Sequence, residues 1–191
     1  MKLIQIIVTF LFSIFFSVVA QAALETYTID PSHSYVLWHI SHFGFSEQTG
    51  KWMASGTLQL DENKPQDSKA NVQIDVANVI TGNPKLDEHL KTEFFDVDKY
   101  PTATFVSNKI QMITKDSGKI DGILTLHGVS KPIQLDVKLN KIGTSPITNK
   151  KTAGFVATAK LKRSDFGINA YLPGLGDEVK LDIQVEATKN P

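Results

Sequence analysis

The side chains best suited to chemistry crowd into one stretch, DPSHSYVLWHISHFGFS, residues 30–46, which holds three histidines and several serines. Imidazoles in such company suggest a metal site or a Ser-His-acid triad. Strand parity tests both. Ser34, Val36, Trp38, Ile40 and His42 fall on one face of a strand, and His33, Tyr35, Leu37, His39 and Ser41 on the other. His39 and His42 then point in opposite directions and cannot share one ion. His33 and His39 share a face but lie about 20 Å apart at the rise of a strand. A metal site is therefore not expected. A triad is compatible with the composition, but no Gly-x-Ser-x-Gly elbow is present and no strand–helix alternation supports a hydrolase sheet. A second stretch, GFVATAKLKRSDFG, puts Phe155, Ala157, Ala159 and Leu161 on one face and ends that face with Arg163. A packed core wants neither the guanidinium nor the missing volume of two alanines. Asp87 and His89 form a third polar group, on a helix beside its apolar stripe.

The elements that must hold these groups are mostly strands. KWMASGTLQLD, NVQIDVAN, ATFVSNKI, KIDGILTLHG, PIQLDVKLN and EVKLDIQVEA alternate apolar and polar residues with period two, the pattern of half-buried antiparallel strands. Turn signals at 61–63, 117–118 and 128–132 separate them. TGNPKLDEHLKTEFFD breaks the pattern. Asn83 can cap a helix, Pro84 suits its first position, and Leu86, Leu90 and Phe94 recur every four residues. One short amphipathic helix ending before Pro101 is expected, and no internal repeat or linker suggests a second domain. About eight strands imply a closed barrel or a sandwich. An eight-stranded barrel can be filled by its own side chains or can hold one small ligand. Ala54, Gly56, Ala103, Gly122, Ala157 and Ala159 all lie on apolar faces, which favours an unfilled interior. Alternatively these small residues make room for Trp38, Trp52 and Phe155, or mark strand bends.

The compartment is read at the chain's start. Lys2 precedes an apolar run that ends in Ala20-Gln21-Ala22, the form of a secretory leader cut after Ala22. An uncleaved anchor is the competing reading, since the run is nearly long enough to span a bilayer. Residues 1–22 are thus expected to be a signal peptide and 23–191 one domain, with no stable membrane insertion of the mature chain. Loss of Lys2 leaves 19 basic residues against 20 acids, a net charge of −1. Such a domain has no electrostatic footprint for nucleic acid, and no run of lysines marks a polybasic membrane patch. There is no cysteine, so disulfide, thiol and haem-attachment chemistry are absent, which suits export to a bacterial periplasm.

The order of YTIDPSHSYVLWHISHFGFS, TGNPKLDEHLKTEFFDVDKYPTATFVS, GKIDGILTLHGVSKPIQLDV and KRSDFGI…DEVKLDIQVEA resembles the YceI-like family of periplasmic polyisoprenoid-binding proteins, over essentially the whole of 23–191. The resemblance implies an all-β fold, an eight-stranded antiparallel lipocalin-like barrel with a short helix packed against it. It also implies a hydrophobic channel for a long isoprenoid or similar amphiphilic lipid, without catalysis and without a cofactor. Residue by residue, the family's histidine after its first strand matches His42, its D-x-H-L helix matches Asp87, His89 and Leu90, its F-F-D matches Phe94, Phe95 and Asp96, and its R-S-D-F-G matches Arg163–Gly167. Trp38-His39 and Trp52 stand where the family leads one to expect smaller aromatics or other polar residues, which bears on channel width.

The functional expectation is a non-enzymatic carrier or store of such a lipid. The channel would be lined by Val36, Trp38, Ile40, Trp52, Ala54, Gly56, Leu58, Val72, Ile74, Phe94, Phe105, Leu124, Phe155, Ala157 and Ala159. His42, Asp87, His89 and Arg163 are candidates for the polar head, Arg163 because its planar fork donates two parallel hydrogen bonds. An internal ion pair of Arg163 with Asp87, Glu93 or Asp165 is the competing role. The alternatives for the whole protein are a hydrolase of lipid esters using His42 or His89, and a structural β domain with a filled core. The oligomeric state is left open, a homodimer among the options.

Overall fold

A computed structural model describes residues 24–191. Nine strands form one antiparallel sheet: β1 (Glu25–Ile29), β2 (Tyr35–His42), β3 (Ser46–Leu60), β4 (Lys69–Asp75), β5 (Thr102–Met112), β6 (Ser117–Leu126), β7 (Val129–Thr144), β8 (Lys151–Lys162) and β9 (Leu175–Lys189). Both β1 and β2 lie between β3 and β9, one beyond the other, so they fill a single position. With β3 also paired to β4, the sheet closes as an eight-stranded barrel. The expected signal peptide and its cut at Ala22 lie outside the described residues.

The break between β1 and β2 is mended by Ser34, which is fully buried. Its hydroxyl donates to the Glu186 carbonyl at 3.1 Å and accepts from the Glu186 amide at 3.0 Å. Its carbonyl accepts from the Ala54 amide at 2.9 Å. The serine thus pairs the Glu186 amide and carbonyl, which face the break in the ladder.

Barrel closure sorts each strand by parity, apolar residues inward. On β2, Val36, Trp38 and Ile40 are buried, and on β3 Trp52, Ala54 and Leu58. Helix α1 (Pro84–His89) begins as its sequence predicts, the Asn83 side chain accepting from the Lys85 and Leu86 amides at 3.1 and 3.4 Å. A π-turn over Leu90–Phe94 continues it and carries the two buried residues Leu90 and Phe94. Together with the segment 163–174, it closes one end of the barrel.

Candidate functional site

The interior is not full. A cavity of about 490 Å³ runs inside the barrel, within the size range of small-molecule sites. Its inner end is walled by Trp52, Leu126, Leu161 and Leu181. Behind that wall, the Trp52 ring packs against Trp38 at 5.9 Å and against Phe95 at 5.1 Å between centroids. Every polar side chain on the lining belongs to one of two connections at the opposite end, β3–β4 (Asp61, Glu62, Ser68, Lys69) or β5–β6 (Lys115, Asp116, Ser117). The cavity is therefore an apolar sleeve with a single polar mouth. From Trp52 to Asp61, β3 runs about 30 Å.

Ten of the residues expected to line a channel do so: Val36, Trp52, Ala54, Leu58, Val72, Ile74, Phe105, Leu124, Phe155 and Ala157. Trp38, Ile40 and Phe94 instead pack in the sealed end, with Ala159 against them. Gly56 departs further from expectation. Its φ is +130°, and a Cβ there would stand 2.2 Å from the Asn71 carbonyl oxygen of β4. Parity assumes regular backbone, and the positive φ of Gly56 departs from it, so a side chain would meet the neighbouring strand and not the cavity. Both expected reasons for small residues operate. Ala54, Ala103 and Ala157 leave room in the cavity, while Gly122 makes way for the Phe105 ring.

The four polar candidates lie at the sealed end, and none lines the cavity. The register between β2 and β9 slips between Ile40 and His42, which leaves His42 exposed, its ring edge-on to Phe43 at 4.9 Å. Asp87 closes the turn before the helix, accepting from the Thr81 amide at 2.8 Å and hydroxyl at 2.6 Å. His89 Nδ1 lies 3.3 Å from Glu93, beside Tyr171 on the surface. Arg163 is buried and does not line the cavity. Its Nε donates to the Gly176 carbonyl at 2.7 Å, one terminal nitrogen to Ile168 at 2.8 Å and the other to Leu175 at 3.1 Å. The guanidinium pins the chain between β8 and β9 through three carbonyls, and the expected ion pairs with Asp87, Glu93 or Asp165 do not form. Burial lowers its pKa, opposed by Asp177. Asp177 itself accepts from the Ser164 amide and hydroxyl, both at 2.9 Å.

The mouth carries charged side chains of its own. Asp61, buried on the rim, accepts from the Asn63 and Lys64 amides at 2.9 Å each and fixes the β3–β4 turn. Lys151 reaches Glu62 on this turn and Glu25 on β1, the latter at 2.7 Å, while Lys189 meets Glu25 at 2.6 Å. The two ammonium groups, Lys151 foremost, hold the Glu25 carboxyl down to about 2, and the carboxylates push Lys151 upward. Lys69 and Lys115 make no ion pair among the described residues. The remaining histidines stand elsewhere: His33 beside Asp30 at 2.7 Å, His39 outside the barrel 3.0 Å from Asp182, and His127 at 3.1 Å from the Phe166 carbonyl. Among the described residues, no group of three or more His, Asp or Glu side chains could hold a metal ion.

A closed antiparallel barrel around an apolar cavity with one polar mouth defines a lipocalin-like binding protein. The chain belongs to the YceI-like family, whose domain it matches over residues 27–187. It is 38% identical over 183 residues to Protein YceI of Salmonella arizonae, covering 93% of each chain. It is 37% identical over 174 residues to a UPF0312 protein of Pseudomonas putida, covering 88% of this chain and 89% of the relative. The crystal structure of the Campylobacter jejuni YceI protein superposes with a TM-score of 0.68 at 32% identity, over 79% of this chain and 90% of that one. The fold is shared with a polyisoprenoid binding domain from Saccharophagus degradans, at a TM-score of 0.64 and 15% identity, over 87% of this chain and 99% of that domain.

Proposed function

We propose that this protein binds a long-chain isoprenoid or a similar single-tailed amphiphile, tail inward, and carries or stores it unchanged in the periplasm. One observation supports this above the others: a long apolar sleeve whose polar lining is confined to its mouth. A tail gains about 25 cal/mol per Å² of apolar surface that it withdraws from water. A polar head cannot follow it inward without losing its hydrogen bonds. It stays at the mouth, where Lys69, Lys115, Ser68 and Ser117 offer charge and hydroxyls. The same fold occurs in the polyisoprenoid binding domain of Saccharophagus degradans.

A hydrolase needs its base beside the bound ester. No histidine lines this cavity, so the reading of His42 or His89 as a base has no support from geometry. Organic extraction of protein purified from cells expressing the full chain, followed by mass spectrometry, tests the proposal. A single-tailed lipid at near-stoichiometric yield is expected. An empty extract, together with no uptake of a fluorescent prenol, overturns it. Release of hydrolysed product from a lipid ester would overturn the non-enzymatic part.

A further inference from the structure

The lysines that look scattered along the sequence are gathered by the fold. The mouth, residues 61–69, 109–117 and 138–151 with Glu25 and Lys189, carries nine lysines against five acids. The segments at the sealed end, 42–47, 75–102, 126–132 and 162–180, carry ten acids against seven basic residues. A nearly neutral chain is thus polarised along the barrel axis. Lys115, Lys141 and Lys150 make no ion pair among the described residues.

The same end presents apolar side chains at its hairpin tips. Ile113, in the β5–β6 turn, is 63% exposed, and Ile147, in the β7–β8 turn, is 89% exposed. The β7–β8 hairpin continues beyond Leu139, which bonds to the Asp116 carbonyl of the neighbouring turn, by four further pairs from Lys141↔Gly154 to Thr144↔Lys151. Its tip therefore stands about 13 Å past the β5–β6 turn. Aliphatic tips surrounded by unpaired lysines match a bilayer surface, where the aliphatic group enters the acyl boundary and the ammonium groups meet anionic heads.

We infer that the mouth end docks on an anionic phospholipid surface, Ile113 and Ile147 entering the interface and the surrounding lysines, Lys141 and Lys150 among them, meeting lipid phosphates. The cavity would then open directly onto the membrane from which a poorly soluble ligand must come. That purpose rests on the reading of the cavity as a lipid site, whereas the docking surface itself does not require a ligand. Exposed aromatic residues also occur at the sealed end, Phe45 at 91% exposure, but the acidic surroundings there repel an anionic surface.

Co-sedimentation with vesicles of phosphatidylcholine alone, or of phosphatidylcholine mixed with phosphatidylglycerol, tests the inference. Binding is expected on the mixed vesicles at low salt and should fall steeply as salt rises. The pair I113D and I147D, and separately the pair K141E and K150E, should each lower the partition coefficient on the order of tenfold or more. F45D should leave it within about twofold. All these substitutions are at exposed sites, and unchanged melting temperatures establish that the variants fold. Prenol uptake in vesicle-free buffer, followed in the same variants, should remain normal, which separates failure of docking from failure of the lipid site. Loss of sedimentation in F45D, or equal binding to both vesicle types, overturns the inference. So does a lysine pair that matters when the isoleucine pair does not, which would mark electrostatic adsorption without insertion of the tips.

Discussion

Trp38 on β2 stands directly across from Gly50 on β3, and its indole occupies the place that a Cβ at residue 50 would take, 2.0 Å from the ring. The absent side chain lets the largest side chain of β2 lie over β3 and pack against Trp52 with the two ring planes tilted at 47°. This pair sets the floor of the cavity. Gly50→Ala should destabilise the protein by about 1–3 kcal/mol, since the ring has a packed core behind it and must shift. The measurement is the urea midpoint, accompanied by the near-ultraviolet circular dichroism of the coupled tryptophans. An unchanged midpoint and spectrum would mean that the floor is loose.

Two small residues of the inner faces should respond in opposite ways to enlargement. Ala157 lines the cavity, so Ala157→Leu places its new atoms in open space. Stability should change by no more than roughly 1 kcal/mol, while affinity for a long-chain prenol falls at least tenfold, on the order of the room lost. Gly56→Leu should cost about 3 kcal/mol or more, because a left-handed backbone and the Asn71 carbonyl both resist a side chain there. Denaturant unfolding of delipidated protein and a prenol titration check both. Equal destabilisation at the two sites would mean that the barrel interior is solid.

Much of this fold is legible from period-two alternation, because a closed barrel turns parity into inside and outside along each strand. The helix was readable for an equally local reason, the Asn83 cap followed by Pro84. Parity fails where the backbone departs from regularity. The slip between Ile40 and His42 exposes an imidazole that alternation places inside, and the positive φ at Gly56 redirects a position that alternation assigns to the channel. The open end was not legible at all, because alternation gives faces and not ends. His42, Asp87, His89 and Arg163, grouped in sequence as candidates for a polar head, stand at the closed end. The rim lysines escaped notice because three separate connections contribute them, and only strand pairing brings those connections together. Ser34, between two strand patterns, shows no sequence signal of its ladder-mending role.

Arg163 illustrates how a charge on an apolar face need not meet a ligand. Arg163→Leu should remove three donors and strand the carbonyls of Gly176, Ile168 and Leu175. A loss of at least about 3 kcal/mol is expected, since each buried acceptor left without a partner is costly. Arg163→Lys should recover part of it. In whatever fraction remains folded, the ratio of affinities for a prenyl diphosphate and the matching prenol should not change, because the residue does not line the cavity. A shifted ratio with an unchanged melting temperature would overturn this assignment.

The rim cluster of Glu25, Lys151 and Lys189 sets an acid limit on stability. The Glu25 carboxyl is held at about 2 in the folded protein, below its ordinary 4.5. A depressed carboxylate contributes its full share of stability above the unfolded value and loses it as the pH falls toward the folded one. The contribution is therefore present at neutral pH and declines between about 4.5 and about 2. Lys151 acts in the opposite direction: its pKa is raised, so its share is present below the ordinary 10.5 and disappears as the pH climbs past it. Glu25→Gln should lower the melting temperature at pH 7 and bring wild type and variant together as the medium is acidified through that window. Screening by water at this partly exposed site keeps the effect modest. Thermal unfolding at a series of pH values reads it directly. A gap between the two proteins that is as wide at pH 2 as at pH 7 would show that Glu25 supports the rim through packing and not through its charge.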